Sequence, residues 1–403
     1  MLKLRFPQWP AAVAAGVAIG ATALLVACGG GGDAAAPEAT TAVPAAAVSY
    51  TQGAISGFGS VFVGGVRFDD SAATVTDDQG RRRDRSELRL GMMVEVDGGN
   101  VDRANASAMA LRIRWGSEVV GPVDAIDAGA STLTVLGQTV LVTSSTVFDE
   151  TLVGGLSASL TGVVVEVHGI LDPANGRVVA TRIEREDSAA AYKLRGAIAN
   201  VNPTARTFTV NGTLISYASL PAGMVPPGLT NGQIVRVLLQ TTAVDGAWVA
   251  TALAGGLRLP EAHREAHMEG VITAFTSISR FEVNGLVCDA SNASFPDGTA
   301  GIGLGARVEV EGTVDNGVLM ASKVTLEERR NMGQRPLELH GEVTKLDTVG
   351  KTFALRGVTV WFGSTVQYRD GTEANLADGR RVEVKGVLSR DRTRLEARRI
   401  EFK

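Results

Sequence analysis

Beyond residue 50 the chain alternates apolar and polar residues in short stretches broken by glycine, and one such arrangement returns five times. Each copy opens with a glycine and an apolar residue two places on: Gly53/Ile55, Gly121/Val123, Gly196/Ile198, Gly270/Ile272 and Gly341/Val343. The openings lie 68, 75, 74 and 71 residues apart. These are the spacings of whole small domains, since solenoid units repeat at about 20 to 50 residues. A second strand follows as Leu133-Thr-Val135, Phe208-Thr-Val210, Phe281-Glu-Val283 and Phe353-Ala-Leu355, each with a glycine two residues beyond. Period-two alternation puts each apolar pair on one face, and the glycine supplies the positive φ of a tight hairpin turn. The first copy, at residues 62–66, is shorter and fits less well.

The most specific element is GxxVEVxG, at 91–98, 162–169, 305–312 and 379–386. Its valines should face a core and its glutamates, Glu95, Glu166, Glu309 and Glu383, the solvent. The third copy departs from it, with Arg236 in place of the glutamate and Leu239 in place of the last glycine. A turn such as Asn175-Gly176, Asp245-Gly246 or Asn316-Gly317 leads to a closing strand with alanine three residues before an aliphatic: Ala110/Ile113, Ala180/Ile183, Ala250/Leu253, Ala321/Val324 and Ala397/Ile400. A spacing of three breaks strict alternation and predicts a β-bulge or bend. About five strands per unit is too few for a sandwich and right for a small barrel. The expected fold class is therefore all-β, a tandem array of five small OB-like β-barrels.

The first 27 residues carry Lys3 and Arg5 and then an apolar run ending Leu25-Val26-Ala27-Cys28. That is the grammar of a cleaved signal peptide, and its end resembles the lipobox of bacterial lipoproteins, in which the cysteine is acylated. The alternatives are an uncleaved anchor or a plain secretory peptide with an incidental Cys28. Gly29 follows the cysteine, where such signals use Asp for inner-membrane retention, so the resemblance implies outer-membrane attachment. Residues 29–48 are Gly, Ala, Pro and Thr with little to bury and should form a flexible tether, with an end-to-end distance of about 25 Å. Tandem GxxVEVxG units behind a lipobox resemble an uncharacterised repeat-domain family of bacterial lipoproteins, over nearly all of residues 50–403. The resemblance implies no activity and no site residues. The expected organisation is a signal peptide at 1–27, lipidated Cys28 and tether at 28–48, repeats at 49–116, 117–188 and 189–258, a linker with the fourth repeat at 259–332, and the fifth at 333–403.

Removal of the signal peptide takes two basic residues from 39 against 43 acidic ones, moving the formal net charge from −4 to −6. A mildly acidic chain argues against nucleic acid as a partner, because that affinity comes chiefly from clustered basic charge. With Cys28 acylated, Cys288 has no partner and a disulfide framework is excluded. Cys288 reads as a small buried strand residue, the alternative being a reactive thiol. In four copies a base precedes the last apolar residue of the closing strand: Arg112, Arg182, Lys323 and Arg399. Equidistance from the turn predicts ion pairs with Glu95, Glu166, Glu309 and Glu383, worth about 0.2–1 kcal/mol each; a bulge would shift the last partner to Arg398. A row of glutamates as an acidic site is the functional alternative.

Other constellations are weaker. His263 and His267 would stand one helical turn apart with Glu261 and Glu265 beside them, as metal ligands can, but the stretch reads better as a solvated charged linker. Arg81, Arg82, Arg83 and Arg85 form a loop suited to lipopolysaccharide phosphate or another polyanion, against a plain solvated loop. Trp361 and Tyr368 are the best exposed aromatics for a ligand, although core or inter-domain packing fits them better. Phe208, Phe281 and Phe353 share a position with Leu133 and read as core. The chain has no GxSxG elbow, Walker loop or Cys/His pairing, so no catalytic residue and no cofactor is expected. The function expected is a non-enzymatic envelope module, anchored to the membrane by its lipid, that binds an oligosaccharide or a protein. A structural spacer or scaffold and a hydrolase of envelope polymer are the alternatives. Glycan binding would show as exposed aromatics on equivalent faces, a scaffold as apolar patches at barrel ends, and an enzyme as one deep cleft with paired carboxylates.

Overall fold

The alternation in each copy folds into short strands that close on themselves, in a computed structural model that describes residues 48–403 except 153, 173, 257–259, 261, 327–336 and 391. Cys28, Glu261, the signal peptide and the tether up to residue 47 lie outside the described residues. Barrel 1 contains β1 (Ser49–Gly57), β2 (Val61–Val63), β3 (Val66–Asp69), β4 (Thr74–Asp77), β5 (Met93–Gly98) and β6 (Ser107–Trp115). Barrel 2 contains β7 (Val119–Asp127), β8 (Thr132–Val135), β9 (Gln138–Phe148), β10 (Val164–Asp172) and β11 (Arg177–Arg185). Barrel 3 contains β12 (Tyr192–Asn202), β13 (Thr207–Val210), β14 (Thr213–Ser216), β15 (Ile234–Leu239) and β16 (Trp248–Gly255). Barrel 4 contains β17 (His263–Ser277), β18 (Arg280–Val283), β19 (Leu286–Asp289), β20 (Arg307–Asp315) and β21 (Val318–Leu326). Barrel 5 contains β22 (Leu337–Glu342), β23 (Thr344–Asp347), β24 (Thr352–Leu355), β25 (Val358–Trp361), β26 (Gln367–Arg369), β27 (Arg381–Leu388) and β28 (Arg394–Phe402).

Every barrel closes in the same order. In barrel 4, β17 pairs with β18, β18 with β19, β19 runs parallel to β21, β21 returns to β20, and β20 pairs again with β17. The first strand serves both neighbours because it is long and changes partner partway: β17 lies on β20 up to Val271 and on β18 from Ile272. The opening glycine, here Gly270, sits at that changeover. Barrel 5 splits the same strand into β22 and β23, paired with β27 and β24. Barrel 3 follows the same order although its sequence departs from the motif. The array is thus all-β, five small five-stranded barrels in tandem.

The cores are as alternation predicts. Leu133, Phe208, Phe281 and Phe353 occupy one recurring position and are fully buried, as is Cys288. Burying a side chain of this size stabilises a fold by about 1.5–3 kcal/mol, which gives barrels 2 to 5 an anchor at the centre of the first hairpin. The hairpin turns place Asn211-Gly212 and Asn284-Gly285 both at positive φ, as the expected tight turn requires.

The predicted bulge is present in all five closing hairpins. Leu111, Thr181, Thr251, Ser322 and Arg398 are the extra residues, each skipped between two paired neighbours. The bulge pushes a carbonyl toward the last glycine of the motif: a Cβ on Gly312 would lie 2.1 Å from the Met320 oxygen, and one on Gly169 2.4 Å from that of Val179. Barrel 3 carries Leu239 there and keeps the bulge.

The bulge also changes the ion pairs expected from equidistance. It moves the register along, so Glu95 faces Arg114, Glu309 faces Thr325 and Glu383 faces Glu401. Arg112 binds Asp97 at 2.9 Å and Lys323 binds Glu311 at 2.6 Å, in place of Glu95 and Glu309. Arg182 binds Glu184 and Asp149 in place of Glu166. Only the fifth pair forms between the expected residues, Arg399 and Glu383 at 3.3 Å, and Arg398 is the exposed bulge residue.

Several of the barrels are joined through their first strands. β1 runs parallel to β17, with Ser49–Gln52 alongside Glu265–Met268, so barrels 1 and 4 share a sheet. β12 meets β7 at Lys193 and Leu194, joining barrels 2 and 3. Barrels 1 and 5 share one continuous apolar core that includes Phe58, Leu90, Leu339 and Phe362.

Candidate functional site: a junction cavity and a face of histidine–carboxylate clusters

Docking of the barrels leaves a half-open pocket of about 220 Å³ lined by barrels 1, 3 and 4 and the 116–118 connection. Its walls carry Asp78, Glu95 and Glu118 together with Arg114, Arg195 and Arg236. Each acid is matched. Arg114 binds Glu95, Arg195 binds Glu118 at 2.7 Å, and Asp78 takes Lys193 at 3.1 Å and Arg236 at 3.6 Å. Arg195 also donates to the Gly256 carbonyl at 2.6 Å. Arg195 and Arg236 are cross-strand neighbours in barrel 3, a like-charged pair that is unfavourable alone and is offset here by acids from outside that barrel. The third copy breaks the motif at the position that faces this junction. Arg236 was the legible signal; Asp78 and Glu118 gave none, because they lie between repeated elements.

A second junction holds an ion deep in protein. Arg182 of barrel 2 is 0% exposed. It donates to Glu184 at 2.8 Å, to Asp149 at 3.0 Å and to the Leu90 carbonyl of barrel 1 at 3.2 Å. Gly91, next in the chain, has φ +83°, and a Cβ there would lie 2.6 Å from the Thr181 carbonyl oxygen. Removing one partner of such a buried pair costs about 3–5 kcal/mol, so this contact fixes how barrels 1 and 2 meet.

The outer face formed by the first, fourth and fifth strands collects the histidines. The chain has four, and each has Nε2 within 4.0 Å of a carboxylate on a fourth strand: His263 with Asp97 at 3.3 Å, His168 with Glu166 at 4.0 Å, His267 with Glu309 at 3.4 Å and His340 with Glu383 at 3.4 Å. His168 also meets Glu184 at 3.1 Å, and His340 meets Glu338 at 2.9 Å. Three clusters result, Glu166/His168/Glu184, His267/Glu309/Glu311 and Glu338/His340/Glu383, each with its ligand atoms within 4.8 Å of one another. Burial works against a charged His168, but the hydrogen bond to Glu184 and the charge of Glu166 outweigh it and raise the imidazole. Burial would likewise raise Glu184, yet Arg182 and His168 bring its carboxyl down to about 2. Glu383 is also down at about 2, burial being outweighed by Lys403, His340 and Lys385.

The residues singled out from sequence fare differently. His263 and His267 lie on a strand, so the helical arrangement and the solvated linker are both corrected from His263 onward. His263 is buried beside Tyr50 and Asp97, and His267 turns to Glu309. Glu265 leaves them for Arg103 at 3.1 Å. The physical reason is that β1 supplies an edge on which this segment continues as strand.

In the arginine loop, Arg81 binds Asp77 at 2.7 Å and Arg83 binds Glu87 at 2.5 Å. Arg83 also lies over the Trp115 ring. Arg82 bridges back to Thr76, and Arg85 opens a single 3-10 turn. Trp361 is the outward member of the Trp361-Phe362 pair, but the Arg394 guanidinium covers its ring at 5.1 Å. Tyr368 stacks on Phe402 at 6.5 Å, and burial pushes its phenol up to about 12. Among the described residues Phe275, at 39%, is the only exposed aromatic.

A family model described as Domain of unknown function (DUF5666) matches residues 52–114, 120–184, 269–325 and 340–401. These are barrels 1, 2, 4 and 5; barrel 3 has the same strand order without the match. The comparison with curated proteins gives no match. Among solved structures, drosophila Unr CSD456 is 14% identical, with 54% of this chain and 98% of that chain covered, at a TM-score of 0.14, a likeness too slight to bear on fold or function.

Proposed function

The chain belongs to the DUF5666 family, and on that premise we propose that it is a non-enzymatic binding module of the bacterial envelope, lipid-anchored at Cys28 and directed at a protein partner. Its barrels are of the OB type: the closed strand order, with the third strand parallel to the fifth, supports that assignment. Outer-membrane attachment rests on the lipobox and on Gly29.

The observation that carries this reading is the docking of the barrels on one another, barrels 1 and 4 and barrels 2 and 3 through paired first strands and barrels 1 and 2 through Arg182, which turns a string of repeats into a body with fixed outer surfaces. Protein is preferred to oligosaccharide because Trp361 is capped by Arg394 and the recurring aromatic positions are buried, which leaves Phe275 as a single exposed ring among the described residues rather than aromatics on equivalent faces. The carboxylates of the junction cavity are each tied to a cation, which suits structural pairing rather than the paired acid and base of a hydrolase. The test is in-cell cross-linking of the full chain, with capture and identification of what is attached. A reproducible protein, lost together with palmitate labelling in Cys28→Ser, supports the reading. Attachment to lipid and abundant bystanders alone overturns it.

A further inference from the structure

We propose that Glu166, His168 and Glu184, on the outer face of barrel 2, form a binding site for a divalent cation of the zinc type. Of the three histidine–carboxylate clusters, the one in barrel 5 meets the most competing cations, and the one in barrel 2 meets a cation that is shared most widely. In barrel 5, Glu383 is already held by Arg399 and Lys403 and Glu338 by Lys385. In barrel 4, Lys323 occupies Glu311. In barrel 2, among the described residues, Arg182 is the cation that approaches, and it divides its donors among Glu184, Asp149 and the Leu90 carbonyl.

The ring of His168 is oriented as a metal ligand is. Its Nδ1 lies 3.0 Å from the Gly116 carbonyl. A carbonyl only accepts, so Nδ1 carries a proton there and Nε2 faces the carboxylates, 3.1 Å from Glu184 and 4.0 Å from Glu166; Nε2 donates to Glu184, and a metal ion taking that nitrogen displaces its proton. A backbone carbonyl fixing the far nitrogen is the usual support of a metal-bound imidazole. Tetrahedral zinc, with bonds of about 2.0–2.2 Å, sets its ligand atoms about 3.4 Å apart, a value the two separations bracket. Small side-chain adjustments therefore suffice to close the site.

The charges agree. Glu166, Glu184 and Asp149 stand against Arg182 and the His168 ring, which donates from both nitrogens; a divalent cation that displaces the Nε2 proton cancels the two negative charges then remaining. His168 is fully enclosed, whereas the side chains of Glu166 and Glu184 keep 13% and 16% of their exposure. The carboxylate side is thus open to entry and to a water as fourth ligand. One imidazole nitrogen with two carboxylates selects zinc-like first-row ions over calcium or magnesium, which take oxygen ligands.

The test uses the full chain in detergent, stripped with EDTA and desalted, and titrated calorimetrically with ZnCl2. Cobalt(II) serves as a second probe, because its visible absorption reports tetrahedral coordination. The expected result is at least one Zn2+ per chain, with Glu166→Gln weakening that site at least about tenfold and both Glu166→Gln and His168→Gln losing the cobalt bands. Urea unfolding without metal shows whether each variant is folded; Glu166→Gln, at a partly exposed position, keeps the test decisive if His168→Gln fails. No saturable zinc binding, or binding unchanged in Glu166→Gln and lost in Glu309→Gln, overturns the proposal.

Discussion

Replacing Gly91 with alanine, beside the same change at Gly379, separates the cost of backbone strain from the cost of disturbing a barrel junction. The two glycines occupy the same place in the GxxVEVxG motif and share a left-handed backbone, φ +83° and +82°. Alanine in that region costs about 1–2 kcal/mol, and this strain is common to both. Around Gly379 nothing lies within 4 Å of an added Cβ. At Gly91 the methyl would meet the Thr181 carbonyl oxygen at 2.6 Å, the Arg182 Cβ at 3.1 Å and a Val147 methyl at 3.2 Å. Relieving that overlap must push barrel 2 away from barrel 1 and lengthen the Arg182 bond to the Leu90 carbonyl, a further cost of about 1–3 kcal/mol. Gly91→Ala should therefore lose about 2–5 kcal/mol and Gly379→Ala about 1–2 kcal/mol. Urea unfolding followed by tryptophan fluorescence measures both. Equal midpoints, or a larger loss at Gly379, would refute the argument that Gly91 is required by the junction.

Three further outcomes are expected. Glu383, held down at about 2 from the usual 4.5 against its burial by Lys403, His340 and Lys385, stabilises the fold fully above about pH 5 and loses that contribution as the pH falls through about 2. The stability gap between the wild type and Glu383→Gln should accordingly shrink on acidification, as read from urea midpoints at several pH values. Cys288 is enclosed, and its thiol is pushed up to about 12 by burial and by Asp289, so a thiol reagent should leave it unmodified until the chain unfolds. Changing Arg81, Arg82, Arg83 and Arg85 to Ser should leave binding to anionic vesicles nearly unaltered in a flotation assay, since Arg81 and Arg83 already answer to Asp77 and Glu87; a salt-dependent loss would contradict this.

What the sequence made legible was whatever repeats. The apolar alternation, the hairpin glycines, the recurring phenylalanine and the alanine before the bulge are each set by local geometry, and they return because each barrel solves the same closure problem. The expected ion pairs failed for a related reason: the bulge was expected, but the shift read from it, to Arg398, runs opposite to the one the bulge makes, in which Glu383 faces Glu401. The junctions were the least legible. Asp78, Glu118, Asp149 and Gly116 acquire their roles from neighbours in other barrels or from connections, and nothing in their local pattern signals that. His168 and His340 passed unnoticed because a lone histidine on a strand carries no spacing signal, whereas the conspicuous His263 and His267 were separated by the edge of β1.

The parallel pairing of β1 with β17 has a consequence for biogenesis. The edge that β1 offers to barrel 4 is completed by residues roughly 200 positions later in the chain, a contact of high sequence separation that forms slowly. During synthesis from the N-terminus, barrel 1 must therefore wait with an unpaired strand edge until β17 emerges, and an open edge is a template for pairing with other chains. The interval before the fourth barrel arrives is the stretch of this protein's life in which a holding factor would matter most.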